Sequence, residues 1–220
     1  MRFEDDVLAG LIDINSRVLD VGCGDGNLLL HLKIKSRWSR NRNRPKKVQE
    51  SVAKGLAVIE GDAEKDLISY PNSSFDFAIL NQSLQQFYDP RKVMNELLRI
   101  AKKAIITIPN FGYWKVRLQL VLRGTMPVTK NLPYTWYNTP NLHMCTIKDF
   151  YNLCRLDNIT IEKSISVSSD KISNIQRGNL EIKNLLSEIG IFLIKNKLFN
   201  FINYFYFIYE VYVLLCCSCI

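Results

Sequence analysis

The sequence predicts an α/β protein with a mostly parallel central sheet and helices on both faces. Three observations predict it: short apolar bursts recur along the chain, amphipathic stretches separate them, and a glycine-rich turn closes the first burst. In residues 16–26, SRVLDVGCGDG, the apolar Val18, Leu19 and Val21 run into three glycines and then into NLLLHLK, the order strand, tight turn, helix. A second burst, residues 55–62 (GLAVIEGD), follows the helix-like PKKVQESVAK. A third, residues 75–81 (FDFAILN), follows the turn formers Pro71, Asn72, Ser73 and Ser74. Residues 90–100, PRKVMNELLRI, put Val93, Leu97 and Ile100 on one helical face, and residues 103–110, KAIITIPN, give a further strand closed by proline. Strands that alternate with helices in this way form a parallel sheet, because each parallel pairing needs a crossover.

After Pro109 the character of the chain changes. Residues 111–146 are rich in aromatic, proline and amide side chains, a composition suited to a lid or a partner surface over the sheet. Residues 147–154, IKDFYNLC, read as a helix. Residues 159–167 read as a strand in which Ile159, Ile161, Ile165 and Val167 keep one parity, and the apolar segment within 185–197 closes the pattern.

A chain of 220 residues is the size of one domain, and 47% hydrophobic with 23% charged residues excludes extended disorder. Acidic residues within 1–6 and Asp13 in the following apolar run argue against a signal peptide, so the expected compartment is the cytoplasm. Cys23, Cys145 and Cys154 are scattered while Cys216, Cys217 and Cys219 crowd the tail. That is neither a disulfide framework nor a zinc spacing, and no metal site is expected.

The glycine turn carries the chemistry. In Asp20-x-Gly22-x-Gly24-x-Gly26 the glycines let the backbone turn sharply and approach a ligand, and the next helix offers free N–H groups. The glycines alternate strictly, unlike the G-x-G-x-x-G dinucleotide spacing, and Asp20 ends the strand itself. A carboxylate there favours the cationic methionine moiety of S-adenosylmethionine over a pyrophosphate, which Asp20 and Asp25 would repel. Asp62 at the end of the next strand is placed to accept the adenine amino group, and Asn81 ends the strand after that, so three polar residues stand at carboxyl ends of strands.

VLDVGCGDGNLL, GLAVIEGDAEKDL, YPNSSFDFAILNQSLQQFYDPRKVMNELLRI and above all AIITIPNFGYWKVRLQLVLRGTMPVTKNLPYTWYNTPNLHMCTIKDF resemble the MetW family of methionine biosynthesis proteins. The resemblance covers residues 1–35 and 45–197. It implies a single Rossmann-like class-I methyltransferase domain over 1–197, with an aromatic lid after the fifth strand, working beside homoserine O-acetyltransferase. By analogy with class-I methyltransferases, Asp20, Gly22, Gly24, Gly26, Asp62, Ala63 and Asn81 stand at the positions that contact S-adenosylmethionine.

Two stretches depart from the family. Where its members carry a second strand reading much like VDGRGIEID, whose Glu bonds the ribose hydroxyls, residues 36–44 read SRWSRNRNR. Those nine residues can be encoded by a set of codons that, read one nucleotide later, spells VDGRGIEID, so the stretch reads as a local frameshift in preference to an ordinary basic surface loop. As it stands, Arg42 puts a donor-only cation where an acceptor is needed, which opposes cofactor binding. Restoring the frame would take the net charge from +8 to +2, and the case for a nucleic-acid partner loses its main support. The second departure is the apolar tail, 198–220, which reads as read-through past a lost stop codon, as a C-terminal anchor, or as a buried hairpin or partner-binding segment. A membrane partner is expected only in the second case.

No catalytic base is named by the sequence. His143 and Cys145 point oppositely on an extended segment and do not pair as base and nucleophile. Residues 108–111, Ile-Pro-Asn-Phe, are the nearest approach to the Asp- or Asn-Pro-Pro-Tyr run of base methylation and lack its acceptor. The functions left are a methionine-biosynthesis accessory that holds S-adenosylmethionine and an active methyltransferase on a small molecule or protein.

Overall fold

The computed structural model describes residues 3–21, 56–59, 63–129, 131–169 and 171–197. Within them α1 (Phe3–Gly10) leads to β1 (Val18–Val21), and β2 (Leu56–Ile59) to a short helix α2 (Ala63–Asp66). Then follow β3 (Phe75–Asn81), α3 (Pro90–Ile100), β4 (Ala101–Pro109), α4 (Trp114–Arg123) and α5 (Ile147–Leu156). The chain continues through β5 (Ile159–Ser168), β6 (Lys171–Asn174), α6 (Leu180–Leu186) and β7 (Ile189–Asn196). The strands form one sheet in the order β2-β1-β3-β4-β7-β5-β6.

Neighbours β2, β1, β3 and β4 are parallel, while β7 runs antiparallel between β4 and β5 and β6 closes a hairpin with β5. The α/β class is therefore the one expected. β2 lies directly along β1, with Val18 opposite Leu56 and Val21 opposite Ile59, so no described strand stands between them.

Period-two alternation sends side chains to two cores. Leu19, Val21, Ala78, Leu80, Ala104 and Ile106 pack with Val93 and Leu97 of α3 and Phe150 of α5; Val18, Phe77, Ile79 and Ile105 pack with Leu8 of α1 on the opposite face. A strand covered on both faces must be apolar throughout, which is why β4 is buried from Ala104 to Pro109. The rings of Phe150 and Phe192 meet at 4.3 Å and tie α5 to β7.

The helices start where their caps dictate. Asp89 accepts from the Lys92 N–H at 3.0 Å with Pro90 in the first turn of α3. Thr146 and Asp149 form a reciprocal capping box on α5. Five elements were not legible in advance: α1, the short α2, α4 inside the stretch read as a lid, the hairpin strand β6, and α6. The glycine turn, the helix-like segment before residue 55, the stretch 36–44 and the tail 198–220 lie outside the described residues. Among the described residues no helix is long and apolar enough to cross a membrane.

Candidate functional site

Asp20 shares the parity of Val18 and so points to the α1 side of the sheet. It is wholly buried, and neither carboxylate oxygen has a hydrogen-bond partner among the described residues. Burial, helped by the neighbouring charge of Asp5, pushes its pKa up to about 7. Asp5 lies one turn before Leu8 on the buried face of α1 and is itself 3% exposed. A buried acid without a donor costs free energy until a cation or a donor reaches it.

Asn81 stands at the same edge. β1 and β3 are parallel neighbours with Val21 opposite Leu80, which puts Asn81 one residue beyond the end of the shared ladder. Its Oδ1 accepts the Thr107 hydroxyl at 2.6 Å, and that hydroxyl accepts the Gln82 N–H at 2.8 Å. Gln82 adopts the left-handed region (φ 51°), which turns the chain away from the strand into the 3-10 turn Leu84–Gln86.

The structure thus brings together two of the sequence-derived positions, Asp20 and Asn81. Ala63 begins α2 just beyond β2. Gly22, Gly24, Gly26 and Asp62 lie outside the described residues. Sequence reasoning missed Ser83 and Gln85, which follow Asn81 closely in the chain and whose Oγ and Oε1 atoms are buried without partners among the described residues. The polar run NQSLQQ directly after an apolar strand was the signal, since such a run at a strand's carboxyl end lines the binding crevice.

The carbonyl of Gln85 also anchors part of the 111–146 stretch, accepting the N–H groups of Leu142 at 2.9 Å and His143 at 3.0 Å. His143 is exposed with Nε2 3.3 Å from the Tyr88 carbonyl. Cys145 is half-buried, and burial pushes its thiol up to about 12, so it is no nucleophile. Cys154 behaves in the same way, its thiol pushed up to about 12.

Asn110 serves structure. Its Nδ2 donates to the carbonyls of Asn184 and Ser187, each at 2.7 Å, while Oδ1 accepts from Gly112 at 2.9 Å and Ile147 at 3.2 Å. A Cβ at Gly112 would come within 2.9 Å of Asn184 Oδ1 and 3.0 Å of Asn110 Oδ1, so a larger residue there would push the Asn110 and Asn184 side chains from their places. Beside this knot a pocket of about 320 Å³ is lined by Tyr113, Lys115, Gln119, Thr129, Asn131 and Glu188. Among the described residues no group of His, Cys, Asp and Glu is arranged to hold a metal.

Solved structures with the same fold include an S-adenosylmethionine-dependent methyltransferase from Thermotoga maritima. It is 16% identical, with a TM-score of 0.57 over 89% of each chain. The cyclase SpnF also has this fold, at 18% identity and a TM-score of 0.53 over 88% of this chain and 80% of that one. At these identities the likeness is one of fold, and the cyclase illustrates how different chemistries share it. A curated relative, the bifunctional methionine biosynthesis protein MetXA/MetW of Rhodopirellula baltica, is 29% identical over 190 residues, 81% of this chain. The chain spans 30% of that relative's length. The family model described as methionine biosynthesis protein MetW matches residues 2–194. The chain accordingly belongs to the MetW family of methionine biosynthesis proteins, and its fold is that of S-adenosylmethionine-dependent methyltransferases.

Proposed function

We propose that this protein binds S-adenosylmethionine at the carboxyl ends of β1, β2 and β3 and acts as an accessory to homoserine O-acetyltransferase in methionine biosynthesis. The observation that carries the cofactor reading is the buried carboxylate of Asp20, without a hydrogen-bond partner among the described residues, which fits the α-ammonium of a methionine moiety. Asn81, oriented by Thr107, offers an amide at the neighbouring strand end. In this reading Gly22, Gly24 and Gly26 admit the ligand to the backbone, and Asp62 and Ala63 border the adenine. The cofactor, when bound, supplies a methyl group on an electrophilic sulfonium carbon. Asp20 holds the amino-acid end and excludes water from it; Asn81 orients the opposite side.

The partner reading is supported by the Rhodopirellula baltica relative, whose name joins MetXA and MetW in one chain. Fusion raises the effective concentration of two parts that work together. The test measures purified homoserine O-acetyltransferase with and without this protein, and with and without S-adenosylmethionine. A rise in acetyltransferase rate that needs the protein supports the accessory role, and an unchanged rate with no complex formed removes it.

One observation favours a second reading, methyl transfer to a small molecule or protein: the pocket of about 320 Å³ beside Asn110 offers the Tyr113 hydroxyl, Gln119, Asn131 and Glu188 to an acceptor. Labelled cofactor incubated with cell extract separates the two. A labelled product supports transfer; acetyltransferase activation without label supports the accessory role.

A further inference from the structure

Helix α4 is amphipathic with its apolar stripe facing outward. Trp114, Leu118, Val121 and Leu122 follow the i, i+4, i+7, i+8 spacing of a single helix face and are 40%, 45%, 79% and 72% exposed, whereas only Val116 is buried. The stripe spans roughly 100° of the helix surface. Lys115 and Arg117 flank it on its two sides, and Lys115 lies over the rings of Tyr113 and Trp114 at 6.0 and 5.6 Å.

The helix is firmly mounted. Arg117 Nε donates to the Gly112 carbonyl at 2.6 Å, Gly112 is held by Asn110, and Gly124 in the left-handed region (φ 63°) caps the far end on the Leu120 carbonyl. Trp136 and Tyr137, packed edge to face at 5.6 Å, add further exposed aromatic surface in the same stretch. A rigid apolar stripe with aromatic ends has the make-up of an interface core.

The charge of the surface selects its occupant. Residues 111–146 contain Lys115, Arg117, Arg123 and Lys130 and no Asp or Glu. Two copies meeting through this face would set like charges against each other, so self-association is disfavoured. An apolar groove rimmed by carboxylates is complementary in both respects.

We infer that the 114–118–121–122 face of α4 is the surface by which this protein docks on the acetyltransferase, in an apolar groove rimmed by Asp and Glu. The inference rests on the accessory reading above.

The test uses the full chain and purified homoserine O-acetyltransferase, with affinity measured by calorimetry at two salt concentrations. The double variant Val121→Glu with Leu122→Glu changes only exposed positions, and its melting temperature should match that of the parent. Affinity is expected to fall about 100-fold. Lys115→Glu, at the margin of the stripe, should cost about tenfold and flatten the salt dependence. Leu156→Glu, at an exposed position at the end of α5, should bind like the parent. Undiminished binding by the double variant overturns the surface assignment while leaving the accessory reading intact; absence of binding by the parent chain removes both. Two further results would overturn the assignment: a parent dimer that the double variant makes monomeric without loss of acetyltransferase affinity, and stripe-dependent binding to anionic phosphatidylserine vesicles with acetyltransferase affinity unchanged.

Discussion

Across the parallel β3–β4 ladder, where Asn81 and Thr107 are register partners, the Thr107 hydroxyl donates to Asn81 Oδ1 at 2.6 Å and fixes the amide at the strand's end. Thr107 is 1% exposed, so no water can take its place. Thr107→Val should free the Asn81 amide and weaken S-adenosylmethionine binding about fivefold to tenfold, the value of one such bond. Thr107→Ser should restore it. Equal affinities for parent, Val and Ser chains would show that Asn81 is not a ligand.

Asp20 makes the fold pH-sensitive. Its pKa is raised from 3.8 to about 7, so the native state keeps a proton that the unfolded chain releases. Below pH 3.8 both states hold the proton; stability then falls as the pH rises towards 7 and levels off above it, at a total cost of about 4 kcal/mol. Asp20→Asn lacks this cost. Its melting temperature should exceed the parent's by about 10 °C at pH 8, and the gap should close near pH 4. Thermal scans across that range, without ligand, give the answer, and a gap that fails to open at pH 8 rules the account out.

The same proton opposes the ligand. A cationic group can displace it, so affinity for S-adenosylmethionine should drop about tenfold per pH unit below pH 7, and fall again once the ligand's own α-ammonium loses its proton at about pH 8. In Asp20→Asn the affinity should be low and independent of pH below pH 7. Calorimetry in buffers of different ionisation enthalpy reads the released proton directly.

Loss of the Asn110 side chain would leave two carbonyls and two N–H groups without their partner in a buried knot. Asn110→Ala should cost about 3 kcal/mol or more and lower the melting temperature by about 10 °C. Asn110→Asp should be nearly as damaging, because a carboxylate cannot donate to Asn184 and Ser187. A loss under 1 kcal/mol in urea titration would contradict this account of the knot.

Under the frameshift reading, the stretch 36–44 weakens cofactor binding in this copy. Replacing SRWSRNRNR with VDGRGIEID and removing 198–220 should raise affinity for S-adenosylmethionine at least tenfold. Titration of both chains decides it; binding by neither favours a scaffold that keeps the fold without the ligand.

Much of the fold could be read in advance because the strands are buried on both faces. Runs such as FDFAILN and AIITIP have no other use for so many branched apolar residues. Asp20 and Asn81 were legible because a polar residue at the end of such a run breaks its pattern. What escaped had local signals that tertiary structure overrode. The outward stripe of α4 reads as a buried face until its surroundings are known, and Asn110 in a Pro-Asn-Phe turn gives no hint of four partners more than thirty residues distant or close by. Ser83 and Gln85 were overlooked although the polar run NQSLQQ directly follows an apolar strand, because nothing in their spacing marks burial.

The place of β7 has a consequence for biogenesis. It is the last described strand in the chain, yet it fills the gap between β4 and β5 and supplies ladders to both. Until Ile189–Asn196 has left the ribosome, the inner edges of β4 and β5 stay open and half of each sheet core is uncovered. A nascent chain must therefore wait, with two adhesive edges exposed, for its final insertion, and chaperone demand should peak just before that strand emerges.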